Sequence, residues 1–306
     1  MTAIFRNELK TSQCTAFVDQ FQEDSNSVIS NRLYCGISDT TGNDLSADVL
    51  NPDDMPSNTP GDQELAFWYD PVNGGTGEAI IGIQKIDEAN ISVVVPRVDW
   101  DVGDTYSAGE YVIAENGVGV IDIFLCVSGN SDSVTTQPEY AAGLTVDNTY
   151  FNDGLASLIT DGSVVWKYLC RLPTPMTDAL ADTNWVPVPY NKSITTDSGD
   201  GDVNNARPDA VQLLLAKHVM CKVELLADNG GVNLPDSGTY SKVALIKNPI
   251  QSDNTSLCTA TSYLSATLSN DGANPYPSGD MIFLEHRGSV TRQPAQTEFV
   301  KVVLAL

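Results

Sequence analysis

The sequence predicts a mainly β protein: a layered β-sandwich with an inserted second β domain and one or two short helices. Short runs of β-branched and aromatic residues recur along the chain, and glycine-bearing turns such as Asn116-Gly117 and Asp161-Gly162 separate them. Helical spacing of apolar residues appears in few places. The 306 residues, 42% of them hydrophobic, are enough for two domains or one large β domain with a sizeable core.

The first predicted helix begins near the amino terminus. Ser12 is a residue type that caps helices, and Cys14, Phe17, Val18 and Phe21 follow at three- and four-residue spacing. The helix should end in the polar run at 22–27 and pack one face on a sheet. A second, shorter helix is predicted over residues 64–69, before Pro71 and a glycine turn.

The predicted strands share β-branched or aromatic composition and lie at residues 32–37, 91–95, 111–114, 118–127, 163–172, 211–226, 240–246, 281–285 and 298–306. The last of them alternates apolar and polar groups only partly, because Phe299, Val300, Val302 and Val303 are all apolar. Such a run predicts a closing strand that is buried on both faces, beside strands from the amino-terminal half.

Two polar stretches, at 39–62 and 191–208, are predicted loops, because they contain too few apolar groups to fold alone. Between them, residues 100–190 carry their own order of turn, strand, turn and aromatic strand. We therefore expect residues 1–96 plus 208–306 to form one discontinuous β-sandwich domain, with an inserted β domain at 97–207.

The charge balance narrows the set of partners. The formal net charge is −24, from 40 acidic and 16 basic side chains, and such a surface repels phosphate backbones and anionic lipids. We expect no nucleic-acid and no membrane partner. The first residues lack the apolar core of a secretory signal, and no apolar run reaches ~18 residues, so the sequence favours a protein made and kept in a cytoplasm.

The six cysteines are spread singly, with no C-x-x-C pair: Cys14, Cys35, Cys126, Cys170, Cys221 and Cys258. Most have apolar neighbours, which favours buried reduced thiols over disulfides. Zinc sites need clustered ligands, and only His218 and His286 are present to assist.

Candidate catalytic groups have ordinary explanations. The acidic pair Asp99 and Asp101 suits a glycosidase, but 40 carboxylates make such pairs inevitable, so a solvated face explains it better. No G-x-S-x-G elbow exists, and His218 lies within a predicted strand, where a structural histidine is expected.

Binding motifs for ions and nucleotides are similarly weak. The acidic loop at 197–204 is dense in oxygen ligands, but its spacing is irregular and Pro208 stands where a calcium loop needs a glutamate. No phosphate-binding or dinucleotide-binding glycine motif is present. The sequence therefore predicts no catalytic residue, no cofactor and no metal site, and a protein that is not an enzyme.

One feature of the predicted inserted domain suits sugar binding. Trp100, Tyr106 and Tyr111 have a spacing similar to that of small sugar-binding modules, and exposed aromatic rings can stack on sugars. Aromatic residues of a hydrophobic core explain the same spacing, and both interpretations stay open at this point.

Several ordered segments resemble the T-even-type contractile phage tail baseplate wedge subunit, the wedge protein that forms a homodimer. They are VVPRVDW at 94–100, VWKYLCRLP at 165–173, WVPVP at 185–189, IKNP at 246–249, GDMIFLEHR at 279–287 and QPAQTEFVKVVL at 293–304. The amino-terminal segment at 6–21 is similar to the opening helix of that family. The order and spacing of the segments match the family over nearly the whole chain, and the segment at 279–287 is the most distinctive.

The resemblance implies a virion protein of the tail baseplate that is assembled in the host cytoplasm. It further implies a homodimer that contacts other baseplate wedge proteins during assembly and during the switch that triggers sheath contraction. No catalytic residues transfer, because the family has none. The departures lie in loop content, a somewhat shorter chain and a stronger acidic excess, so contacts with particular neighbours are not transferred.

Two other classes of function are weighed against this one. A sugar- or receptor-binding phage tail module is the first alternative, and a wall-degrading tail enzyme is the second.

Overall fold

A computed structural model describes residues 7–21, 31–38, 67, 69–70, 77–78, 80–115, 121–129, 137–139, 158–161, 164–171, 184–188, 216–226, 234–235, 238–251, 257–264, 279–293 and 298–306. The chain forms two compact units. Unit one comprises Met1–Val28, Ala89–Cys221 and Val302–Leu306, and unit two comprises Ile29–Glu88 and Lys222–Lys301.

The predicted mainly β, sandwich-type fold is confirmed. One helix, α1 (Asn7–Asp19), and a single 3-10 turn (Glu88–Asn90) accompany the strands of the described residues. The strands are β1 (Leu33–Ser38), β2 (Tyr69–Asp70), β3 (Gly77–Glu78), β4 (Ile80–Lys85), β5 (Ile91–Pro96), β6 (Tyr111–Glu115), β7 (Ile121–Ser128), β8 (Leu158–Asp161), β9 (Val164–Arg171), β10 (Trp185–Val188), β11 (His218–Leu225), β12 (Gly238–Lys247), β13 (Ser262–Leu264), β14 (Asp280–Arg292) and β15 (Glu298–Ala305).

The helix α1 starts earlier than predicted. Ser12 was expected to cap it, but Ser12 lies inside the helix, is exposed, and its carbonyl accepts a hydrogen bond from Thr15 Oγ1 at 3.1 Å. Asn7, where the helix begins, belongs to the same class of residues favoured at helix starts, so composition alone does not distinguish the two. The inward face is confirmed, because Cys14, Val18 and Phe21 are all buried.

The second predicted helix, at 64–69, is only partly described. Phe67 is helical, but Tyr69 begins β2, which pairs with β3, so the predicted helix extends too far at its end. Residues 64–66 and 68 lie outside the described part of the chain.

Unit two is built on a five-stranded sheet of order β13-β4-β1-β12-β14, and its described pairings are antiparallel. One face packs a cluster that includes Tyr34, Phe67 and Ile246. A glycine at position 36 makes room for it, since an added Cβ would lie 2.8 Å from the Phe67 ring and 2.9 Å from Ile246 Cδ1. Replacing Gly36 would therefore displace the ring that closes this core.

Unit one contains a four-stranded antiparallel sheet of order β6-β7-β9-β8. Its core is aromatic: the rings of Tyr106 and Trp166 meet edge-on with centroids 5.0 Å apart, and those of Phe124 and Tyr168 do so at 5.6 Å. Edge-to-face pairs add about 0.5–1.5 kcal/mol beyond the area they bury.

A second sheet has the order β10-β5-β11-β15. Its strand β5 is buried from Ile91 to Val95, as its continuous apolar sequence predicts for a central strand. Strands β11 and β15 pass from one unit to the other along the chain, at residues 221–222 and 301–302.

The predicted domain boundaries at 97 and 207 stay a prediction. The sheet β6-β7-β9-β8 falls entirely within residues 97–207. The predicted loops at 39–62 and 191–208 lie outside the described residues.

The expectation for the closing strand is wrong in two respects. Val300 and Val302 are buried, but Phe299 and Lys301 between them are exposed, so β15 buries one face and not both. Its neighbour in the sheet is β11, from the second half of the chain, and not a strand of the amino-terminal half. The paired valines at 302–303 disguised an alternation that the lysine at 301 reveals.

Candidate functional site

The acidic pair considered for catalysis lies on an exposed surface. Asp99 accepts hydrogen bonds from Nε of Arg97 at 2.8 and 3.0 Å, and the Asp99 side chain is 59% exposed. Asp101 is exposed as well. An ion pair of this kind contributes ~0–1 kcal/mol, and the geometry is that of a solvated surface.

His218 packs in unit one against an aromatic ring. Its imidazole centroid lies 4.6 Å from the Trp185 ring centroid, with the rings tilted by 54°. Burial, then the charges of Lys217 and Lys10, lowers the pKa of His218 below its usual value, so the ring is neutral at pH 7. For the other histidine, His286, the described backbone lies in β14 opposite Lys242, and its side chain lies outside the described part.

The cysteines whose side chains are described, Cys14, Cys35, Cys126, Cys221 and Cys258, are free and buried, as predicted for those positions. Burial raises the pKa of Cys14 to about 11 and that of Cys35 to about 12. Both thiols are therefore protonated and weakly nucleophilic at neutral pH. The side chain of Cys170 lies outside the described part.

No cluster of three or more histidine, cysteine, aspartate or glutamate side chains with metal-binding geometry occurs among the described residues. The acidic segment at 197–204, considered for calcium, falls outside them.

The three aromatic residues considered for sugar stacking mostly serve the fold. Tyr106 is buried, and its hydroxyl accepts a hydrogen bond from the Asp101 amide at 3.0 Å. Tyr111 donates to the Pro96 carbonyl at 2.5 Å, and burial raises the pKa of Tyr111 to about 12. Trp100 packs at the margin of the aromatic cluster. The core interpretation therefore accounts for Tyr106 directly, and these rings are not a stacking platform on the surface.

An open groove of about 550 Å³ lies beside Tyr106. Its lining is Thr105, Tyr106, Ser107, Ala108, Val127, Ser128 and Gly129. None of these side chains is ionised at pH 7, and three carry hydroxyl groups, so the groove suits a neutral hydrogen-bonding ligand better than an ion. Sequence analysis did not identify it, because Val127–Gly129 and Thr105–Ala108 meet only through the fold.

Exposed apolar side chains mark contact surfaces more clearly than any cavity does. The large ones that are described are Val98, Val102, Val127, Leu257, Ile282 and Phe299. Ile282 lies on β14 and Phe299 on β15, and each strand is the last of its sheet among the described strands. Strands at the edge of a sheet are the usual points of association with another chain.

A buried polar network lies behind β15 in unit two. The Tyr240 hydroxyl donates to Glu298 Oε1, and Nε of Arg292 lies 3.6 Å from Glu298 Oε2. Arg292 Nη2 donates to the carbonyls of Leu225 and Leu226 at 3.2 and 3.4 Å. Burial, followed by the hydrogen bond to Glu298, raises the pKa of Tyr240. The network ties the first residue of β15 to β12 and to the end of β14.

Sequence analysis missed this network. Arg292 and Glu298 are separated by the polar segment at 293–297 and have no apolar periodicity that would predict burial, yet the Arg292 side chain is only 4% exposed. The only available signal was a charge of each sign on the two sides of one short connection.

Comparison with known proteins adds no relative: no protein-family model and no curated protein matches this chain. Within the part of the chain that the structure describes, α1 and the 3-10 turn are too short or too polar to cross a bilayer.

Proposed function

We propose that this chain is a structural subunit of a contractile phage tail baseplate wedge. It forms a homodimer and contacts other wedge proteins during baseplate assembly and during the switch that triggers sheath contraction. In this proposal it is not an enzyme, its place is the virion tail baseplate, and its assembly occurs in the host cytoplasm.

The observation that carries the proposal is where the resembling segments lie. The segment at 94–100 includes the end of β5, the segment at 165–173 covers most of β9, and the segment at 185–189 covers β10. The two segments nearest the carboxyl terminus coincide with β14 and β15. A resemblance confined to loops would say little about the fold, whereas these segments form much of the strand framework.

The most distinctive segment also supports a role in contacts. Residues 279–287 begin β14, an edge strand among those described, and carry the exposed Ile282. The register shifts beside Met281 and again between His286 and Val290, so β14 is interrupted twice along its length. Interruptions of this kind prevent indiscriminate strand pairing and leave side chains to select the partner.

The direct test is the mass in solution, by light scattering at micromolar concentration. The expected result is twice the chain mass of 32.8 kDa. A monomeric mass would contradict the homodimer. Mixing with candidate wedge proteins, followed by chromatography with light scattering, then asks whether a larger complex forms, and antibody labelling of purified tails should mark the baseplate.

A sugar- or receptor-binding tail module is the second candidate, and the uncharged, hydroxyl-lined groove beside Tyr106 favours it. A glycan array distinguishes the two functions. Binding of a defined glycan that is lost when Ser128 is replaced by a bulkier residue would support this alternative.

A further inference from the structure

Three residues of unit two form a basic and aromatic patch, which we call the β15 patch: Lys222, Phe299 and Lys301. The Lys222 ammonium lies 5.1 Å from the Phe299 ring centroid, so these two side chains share one face. Side chains two residues apart on a strand point the same way, which places the exposed Lys301 beside Phe299.

The apolar part of this patch is exposed although its strand has a buried face. Val300 and Val302 are buried, whereas Phe299 is 57% exposed. Lys222 covers part of the ring and leaves the rest in water. A half-exposed phenylalanine beside charged groups is the composition of an interface anchor, where an aromatic ring contributes much of the binding energy.

The charge of the patch is opposite to that of the chain. The whole protein carries −24, yet Lys222 and Lys301 both lie beside Phe299, and Glu224 is the exposed carboxylate two residues along β11 from Lys222. At contact distance these local charges govern which partner fits, because exposed charges farther away than the Debye length of about 8 Å are largely screened at physiological salt.

A second copy of the chain fits this patch poorly. A two-fold contact places the same patch of both copies together, so two pairs of lysines would face each other. Like charges brought together at an interface are unfavourable. A partner that brings carboxylates and an apolar side chain satisfies all three residues.

We propose that the β15 patch binds an acidic segment of another protein, with an apolar side chain on Phe299 and carboxylates on Lys222 and Lys301. This inference rests on the proposed function and specifies the chemistry of one of its contacts with neighbouring subunits.

The test is a fluorescence-anisotropy titration of the full chain with a labelled short peptide of alternating glutamate and valine. The wild-type protein is expected to bind it at low ionic strength and more weakly at ~0.15 M salt. Phe299→Ala and Lys301→Glu are each expected to weaken binding about tenfold, because one removes the anchor and the other reverses a contacting charge.

The matched control is Lys167→Glu, which changes the net charge by the same amount on β9 of unit one. It is expected to leave the peptide affinity within about twofold, apart from the general effect of net charge. Equal melting temperatures of the variants would show that altered folding does not explain the result.

Two outcomes overturn the inference. In one, the wild type does not bind the peptide, or Phe299→Ala and Lys301→Glu bind it as well as Lys167→Glu does. In the other, Phe299→Ala dissociates a wild-type dimer, which would assign the patch to a second copy. A monomeric wild type that still binds the peptide through the patch would instead contradict the homodimer of the proposed function and leave this inference standing.

Discussion

The aromatic sheet of unit one and the β15 region of unit two use opposite means of closure. In the first, Tyr106, Phe124, Trp166 and Tyr168 are buried in a single apolar cluster. In the second, the start of β15 is held by a buried network of charged and polar groups, while its own Phe299 is exposed.

The contrast shows how burial and specificity are divided. Apolar burial is non-directional and stabilises many arrangements of the same strands, whereas a polar network is favourable only when each donor meets its acceptor. The aromatic sheet therefore contributes stability. The network around Arg292 determines where β15 begins, and β15 in turn presents the patch to a partner.

The largest effect is expected from deleting residues 298–306. Deletion removes Val300 and Val302 from the buried face and the carboxylate of Glu298 from its two partners, Tyr240 and Arg292. The truncated chain should lack a cooperative unfolding transition in calorimetry or denaturant titration. A soluble product with unchanged melting would show that β15 is dispensable and would end the comparison.

Trp166→Ala is expected to have the next largest effect, a loss of about 3–5 kcal/mol in the free energy of unfolding, because it removes a fully buried ring and leaves a cavity. Urea denaturation measures the loss. Phe299→Ala is the contrasting variant, since its ring is exposed and should change stability by no more than about 0.5 kcal/mol. Similar losses for the two variants would contradict the assignment of one ring to the core and the other to the surface.

Arg292→Met is expected to cost about 2 kcal/mol, because it leaves the Leu225 carbonyl and the Glu298 carboxylate with fewer donors. Tyr240→Phe removes one hydrogen bond to the same carboxylate and should cost about 1 kcal/mol. If the network acts as a unit, the double variant should lose less than the sum of the two single losses. Strict additivity in a double-mutant cycle would show that the two contacts are independent.

The smallest effect concerns pH. The folded pKa of His218 is lowered, mainly by burial, so as pH falls the unfolded chain takes up this proton first. The stability linked to His218 is complete above its unfolded pKa of about 6.5 and is lost as pH falls from there through the folded pKa. His218→Gln should flatten the dependence of unfolding free energy on pH between about 5 and 7, with His286→Gln as the matched control. An unchanged slope in His218→Gln would contradict the assignment.

Local sequence was sufficient for most of the framework. The predicted strands at 32–37, 91–95, 111–114 and 163–172 agree with β1, β5, β6 and β9 to within one or two residues, because β-branched and aromatic runs bounded by turns occur there. Strand β14 was foreseen only as far as Glu285, since its second half is polar and is held by pairing with β12. The short strands β2, β3, β8, β10 and β13 were not predicted, because pairing with a neighbour decides such segments more than their composition does.

The sequence by itself determined the mainly β class, the inward face of α1 and the burial of the cysteines whose side chains are described, since each follows from residue type and local spacing. Only the tertiary structure decided that Ser12 lies inside α1, that Arg292 meets Glu298, and that Phe299 faces solvent beside Lys222. The physical reason is that periodicity reports which residues share a face. Whether that face is covered depends on contacts between residues far apart in the chain, and for Phe299 the proposed cover is another protein.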